Sequence, residues 1–347
     1  MAGCRISLDW AFKGMRTLIL ENEYLRIVSL LDKGSDIMEF RYKPLDIDLM
    51  WHSPMGYRNP SMFVESSTFT LSPFLDFYGG GWQDILPIAG AGAKHKGAEW
   101  GLHGETALIP WNCAIVKQTP EEVIVHLSVE CYRYPFRLDK EFTLREGETL
   151  LTIREKLTNT SNQDLEFCWL QHPAFGEPFL APGTVIDIPA KEVIIEEYPW
   201  SRLSPGRWRW PKVLGRNKEE VDLSRIPSKD VCAEETVFIT SLEEGWYVIT
   251  NPDLKMGFGM TWDKAVYPTV WFWQNYNRPD YPWFGRCWNI ALEPCTSHPG
   301  TFEKQLKAGT IPKIKGNSSI ETEVKALVYT GLTKVKRITR EGKVEEA

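Results

Sequence analysis

The stretch Val123-Ile124-Val125-His126-Leu127-Ser128-Val129-Glu130 decides the fold. Val123, Val125, Leu127 and Val129 alternate with Ile124, His126, Ser128 and Glu130. A repeat of two marks a strand with one face in a core and the other towards water. Residues 136–144 form the next such run, Arg145-Glu146-Gly147-Glu148 turns the chain, and 149–157 alternate again. Asn159-Thr160-Ser161-Asn162 then leads into 165–171. Strand runs joined by short turns predict an antiparallel meander over 123–171.

The theme continues in both directions. Residues 17–20 and 25–30 read as a hairpin across Glu21-Asn22-Glu23, and 36–42 follow a Lys33-Gly34 turn. Downstream, 237–239, 246–250, 257–262, 269–274, 287–293, 301–306 and 320–330 read as strands. No segment holds a helical stripe for three turns. Two long segments resist a strand reading: 54–101, rich in Gly, Pro and Ser, and the polar 196–230. Loops of that length in a compact domain usually carry function. The expectation is a mainly β protein: one large antiparallel β-sandwich domain over 1–347, with long loops at one rim and a tail frayed from about residue 338.

Composition narrows the partners. The chain has 347 residues and a net charge of −6, from 40 Lys and Arg against 46 Asp and Glu. The cations are scattered, which argues against nucleic acid, whose phosphates call for clustered positive charge. No run of about 18 apolar residues occurs, so no membrane partner or targeting segment is expected. Seven cysteines, widely spaced and without a CxxC pair, suggest neither a zinc knuckle nor a disulfide framework, and point to a reducing, cytoplasmic location. There is no GxGxxG after a strand, no P-loop and no HExxH, so no cofactor is expected. The 15 Trp, 12 Tyr and 16 Phe exceed what composition alone leads one to expect. Any one of them fits a large β core. The clusters Trp271-Phe272-Trp273 and Tyr281-Pro282-Trp283-Phe284 also suit a carbohydrate site, because sugar C–H faces sit well on indole and phenol rings.

The six histidines separate by context. His52 reads as structural, His126 as the polar face of a strand, and His95 as a loop residue without an obvious role. His103 lies in Gly101-Leu102-His103-Gly104-Glu105, where glycines allow close backbone approach to a ligand. His172 ends a strand before Pro173-Ala174-Phe175-Gly176, and His298 lies just past another strand end. Glu293 closes the apolar run Asn289-Ile290-Ala291-Leu292, with Pro294 fixing the backbone behind it. An imidazole and a carboxylate together can serve as acid and base near neutral pH.

The ordered set Leu102-His103-Gly104, Gln171-His172 and Glu293-Pro294-Cys295 resembles the aldose 1-epimerase (galactose mutarotase-like) superfamily. Lys33-Gly34-Ser35-Asp36-Ile37 is similar to that superfamily's opening strands. Gly79-Gly80-Gly81-Trp82-Gln83-Asp84 is similar to the Gly-rich turn of its hexose-6-phosphate mutarotase-like members. The resemblance covers roughly residues 15–330, and within the superfamily it is to an aldose 1-epimerase-like branch. It implies Glu293 as general base at the anomeric hydroxyl, His172 as general acid at the ring oxygen, and His103 as a hydrogen-bonding residue for the sugar. Gln171 stands where the family has Asn, and Cys295 where it has Gln. Asp84, Gln171, Trp273, Gln274 and Arg278 are the candidates for the remaining substrate contacts, with a packing role open for each. The implied partner is a small-molecule sugar: an aldose, a uronate or a sugar phosphate. The oligomeric state is left open. Two other readings stand beside this one. A sugar-binding or regulatory protein on the same fold would keep the aromatics without needing both His172 and Glu293. A metal-dependent isomerase or lyase would draw on His95, His103 and Glu105 as ligands.

Overall fold

The computed structural model describes residues 3–62 and 72–347. Residues 63–71, within the first long segment, lie outside that range. Two large antiparallel sheets face each other. Thirteen strands of the described residues make the larger one. Its centre runs, in spatial order, Asp36–Tyr42, Trp82–Ile85, Leu170–Phe175, Trp288–Cys295, Thr269–Tyr276, Ala233–Leu242 and Ala190–Ile195. The smaller sheet has eight strands and is built around Glu122–Glu130, Phe136–Arg145, Leu150–Asn159, Ser319–Thr330 and Met256–Trp262.

The alternation at 123–129 holds: Val123, Val125, Leu127 and Val129 are buried between the sheets. Phe258 of the smaller sheet meets Phe40 and Phe175 of the larger, with ring centroids 5.7 and 4.9 Å apart. That contact joins the layers by apolar burial, the main favourable term in folding.

The core also holds charge. Lys140 of the smaller sheet reaches Asp84 of the larger, Nζ to Oδ2 2.5 Å, and both are almost fully buried. Gln171 Nε2 donates to Asp84 Oδ1 at 2.7 Å and to both Glu155 oxygens at 3.1 Å. Tyr267 donates its hydroxyl to Glu155 at 3.2 Å. Beside this cluster, Lys33 pairs with Asp36, which also accepts from Gln83 at 3.1 Å. Burial lifts Asp36 to about 6 against the pull of Lys33, and lifts Glu155 well above the usual carboxylate range.

Four expectations change. The segment 165–171 does not complete the meander. Leu165–Glu166 pairs with Lys313–Ile314, and Leu170–Phe175 crosses into the larger sheet. The place beside Leu150–Asn159 is taken by Ser319–Thr330. Leu170 to Phe175 are all buried, a continuous run that suits a central strand rather than a half-exposed one. Residues 301–306 are not a strand: Phe302–Ala308 is a helix. Thr301 caps it by accepting from the Lys304 N–H at 3.3 Å, and Gly309 ends it at φ +68°. The tail is not frayed, since Val335–Ile338 pairs with Val344–Glu346 and buries Ile338 beside Trp246 and Tyr329. The long segments carry structure of their own: the helix Ser72–Phe77, and short strands that include Ala93–His95 and Gly206–Arg209. Among the described residues no helix is long and apolar enough to cross a membrane.

Candidate active site

Strand register assembles the site. Leu170 lies opposite Cys295 and Ala174 opposite Ala291, which sets His172 directly across from Glu293. Glu293 in turn faces Trp271, and Trp271 faces Phe238. His172, Glu293, Trp271 and Phe238 therefore form one row across four neighbouring strands. Side chains directly opposite in antiparallel strands stand close enough to interact. All four line a cleft of about 540 Å³ on the outer face of the larger sheet. The next row adds Thr236 and Trp273. Segments outside the sheet supply the walls: Phe74, Leu75 and Tyr78, then Gly90, Ala91, Leu102 and His103, Glu196 to Tyr198, Arg278 with Tyr281 to Trp283, and Gly300, Thr301 and Lys304.

His172 Nε2 stands 3.4 Å from Glu293 Oε1, and both side chains are at most 5% exposed. The Tyr78 hydroxyl lies 3.5 Å from His172 Nδ1. Burial lowers His172 to about 4 and raises Glu293 well above the usual carboxylate range. Both shifts have burial as their first cause and disfavour charge, so the cleft favours the neutral carboxyl and the neutral imidazole over the ion pair. His103 is also held well below its ordinary value, first by burial and then by His172. Its backbone sits at φ +63°, followed by Gly104 at +70°. The Gly90 N–H donates to His103 Nδ1 at 3.2 Å, which places the ring proton on Nε2. A Cβ on Gly90 would lie 2.0 Å from the Gly300 carbonyl oxygen, so this donor position requires glycine. The His103 ring meets Phe74 at 4.6 Å and His172 at 5.4 Å, both edge-on.

The aromatic wall is fastened by one carboxylate. Glu234 Oε1 accepts from the indole N–H of Trp273 at 3.2 Å and of Trp283 at 3.3 Å. Its Oε2 accepts from the Tyr198 hydroxyl at 2.9 Å and pairs with Arg278. Trp273 and Trp283 lie 5.8 Å apart, and both pack on Trp51 behind them. No motif in the sequence marks Glu234, whose donors come from four separate positions. Trp271 and Trp283 belong to the aromatic clusters that suggested a site.

The structure brings together His103, His172, Glu293, Trp273 and Arg278. It removes three candidates. Asp84 and Gln171 face the inter-sheet core, in the network with Lys140 and Glu155. Gln274 faces away from the cleft and accepts from Tyr276 at 3.3 Å. Each is one residue out of phase with the cleft row, and neighbours along a strand point to opposite faces. The three residues considered as metal ligands also part company. His95 bonds Glu166 at 3.0 Å, and Glu105 accepts from Trp100 and from the Tyr132 and Arg133 N–H groups. Among the described residues no three His, Cys, Asp or Glu side chains converge as a metal site. His298 lines a separate shallow groove with Trp246, Trp262 and Arg337.

The two-sheet sandwich has the fold of solved structures with aldose 1-epimerase and galactose mutarotase-like names. It is similar to a provisionally named aldose 1-epimerase from Klebsiella pneumoniae, at TM-score 0.71 and 15% identity over 94% of this chain and 83% of that one. It is also similar to a galactose mutarotase-like protein from Clostridium acetobutylicum, at TM-score 0.65 and 12% identity over 94% and 99%. A galactose mutarotase related enzyme from Lactobacillus acidophilus aligns at TM-score 0.59 and 16% identity over 92% and 100%. The chain itself belongs to the family described as a domain of unknown function, DUF4432, whose model matches residues 12–328. No curated protein matches it in sequence.

Proposed function

We propose that the protein is a sugar 1-epimerase, interconverting α and β anomers by acid–base ring opening. The observation that carries this reading is the His172–Glu293 pair, facing one another at 3.4 Å in an aromatic-walled cleft. Ring opening needs a proton removed at O1 and another delivered to O5. One shared proton suffices. When sugar hydroxyls solvate the pair, the proton passes from Glu293 Oε1 to His172 Nε2, giving carboxylate and imidazolium. The carboxylate then takes the O1 proton as the imidazolium protonates O5, and the C1–O5 bond breaks. Rotation about C1–C2 presents the other carbonyl face, and the same two groups run in reverse to close the ring. His103, donating from Nε2, holds a sugar oxygen. Trp273 offers a ring face to the sugar's C–H groups.

The test is anomer exchange followed by NMR on a panel of aldoses. Glu293→Gln and His172→Asn should each lower the protein-dependent rate by about 10²–10⁴-fold, the usual worth of a positioned acid or base. Full activity in either variant would overturn the assignment of the pair. Binding of a sugar without faster exchange would favour a sugar-binding protein on this fold.

A further inference from the structure

We infer that Glu234 is a specificity-determining residue that closes the cleft to anionic sugars, so that the substrate is an uncharged sugar. The inference rests on the reading of the cleft as a sugar site and adds the charge class of its ligand.

Among the described residues lining the cleft, Arg278 and Lys304 are the positively charged ones apart from the histidines. Arg278 would be the natural receptor for a phosphate or carboxylate, since its planar fork matches both. It is committed instead. Its guanidinium pairs with Glu234, donates to the Tyr198 hydroxyl at 3.1 Å and lies 6.0 Å from the Trp200 ring. Lys304 is committed to Glu196, which also accepts from the Gly300 N–H at 3.3 Å. Glu197 adds another carboxylate to the wall and pairs with Arg216, at 2.5 Å, which does not line the cleft. His103 and His172 are uncharged at neutral pH. The undescribed residues 63–71 contain no lysine or arginine. Every lining cation is thus matched by a lining carboxylate, and Glu197 is matched by Arg216. An anion entering here would find no unpaired cation and would have to displace Glu234 or Glu196 to gain one.

Glu234 is the member that sets this state. It takes four donors, so it has no free lone pair with which to serve as an acid or base. Its work is positional. It turns both indole N–H edges towards itself, which leaves ring faces for the sugar, and it keeps Arg278 out of reach of a ligand.

The experiment is equilibrium binding read by tryptophan emission, independent of turnover. Probes are D-glucose and D-galactose against D-glucuronate and D-glucose 6-phosphate. The wild-type protein should bind a neutral probe at least about tenfold more tightly than either anion, and Glu234→Gln should shrink that ratio by about tenfold by freeing Arg278. Should the variant fail to fold, the wild-type panel decides alone. An anion bound as tightly as the neutral sugars, or no response to any neutral probe, would overturn the inference. Neutral binding without anomer exchange would sink the epimerase reading and leave this one standing. Exchange of anionic sugars in preference to neutral ones would do the reverse.

Discussion

Lys140→Met tests whether the charges in the core are held by one another. Lys140 Nζ bridges the two sheets to Asp84 at 2.5 Å and also lies 4.5 Å from the Trp111 ring and 4.9 Å from the Phe142 ring. Methionine keeps the apolar stem against those rings and removes the charge. Asp84 would then keep the Gln171 amide but lose its cation while remaining almost fully buried. Breaking one side of a buried ion pair costs about 3–5 kcal/mol. An unfolding entropy of about 2.1 cal/mol/K per residue over 347 residues gives roughly 0.7 kcal/mol/K, so the midpoint should fall by about 4–7 °C. Guanidinium titration followed by tryptophan emission gives the free energy, and calorimetry the midpoint. Changing both partners, Asp84→Leu with Lys140→Met, should restore most of the loss, because an apolar pair carries no desolvation cost. A single substitution costing less than about 1 kcal/mol, or a double variant no more stable than the single, would refute the idea that these charges depend on each other.

Three further outcomes follow from the site and its surroundings. The acid–base pair needs one proton, so activity should hold across neutral pH. It should fall on the acid side near pH 4, where His172 takes a second proton, and on the alkaline side only at the raised value of Glu293. A limb near 6.5 in the kcat/KM profile would contradict this. Gly90→Ala places a Cβ against the Gly300 carbonyl and should displace the donor to His103. Losing a hydrogen bond of about 1.5 kcal/mol predicts roughly tenfold weaker sugar binding in the same fluorescence titration, and unchanged affinity would show that His103 is held by other means. Thr301→Ala removes the cap of the helix Phe302–Ala308 and should cost about 0.5–2 kcal/mol in denaturant titration.

The strands were legible because burial in a sandwich imposes a period of two, and 123–129 shows it without interruption. The helix at Phe302–Ala308 was missed because seven residues are too few for an apolar stripe to emerge, although Thr301 and Gly309 stood at its two ends. His172 and Glu293, the proposed acid–base residues, were named through a family likeness, and strand register explains why they meet. The errors at Asp84, Gln171 and Gln274 came from treating neighbours in sequence as neighbours in the cleft. The alternation that identified the strands also separates their faces: with His172 on the cleft side, Gln171 belongs to the core. Glu234 was out of reach for a different reason. Tyr198, Trp273, Arg278 and Trp283 reach it from separate stretches, and nothing local in the sequence marks that convergence.

The cleft draws its floor and its walls from different kinds of structure. His172 and Glu293 stand on central strands whose other faces are locked into the inter-sheet core, where a one-residue slip would exchange His172 for Gln171. The walls come largely from five segments outside the sheet, and Tyr198, Arg278 and Trp283 among them are tied to it through Glu234 on the strand Ala233–Leu242. The walls therefore meet the frame at one main polar point, Glu234. Loops can be lengthened or exchanged to admit a different sugar while the proton-handling row stays as it is.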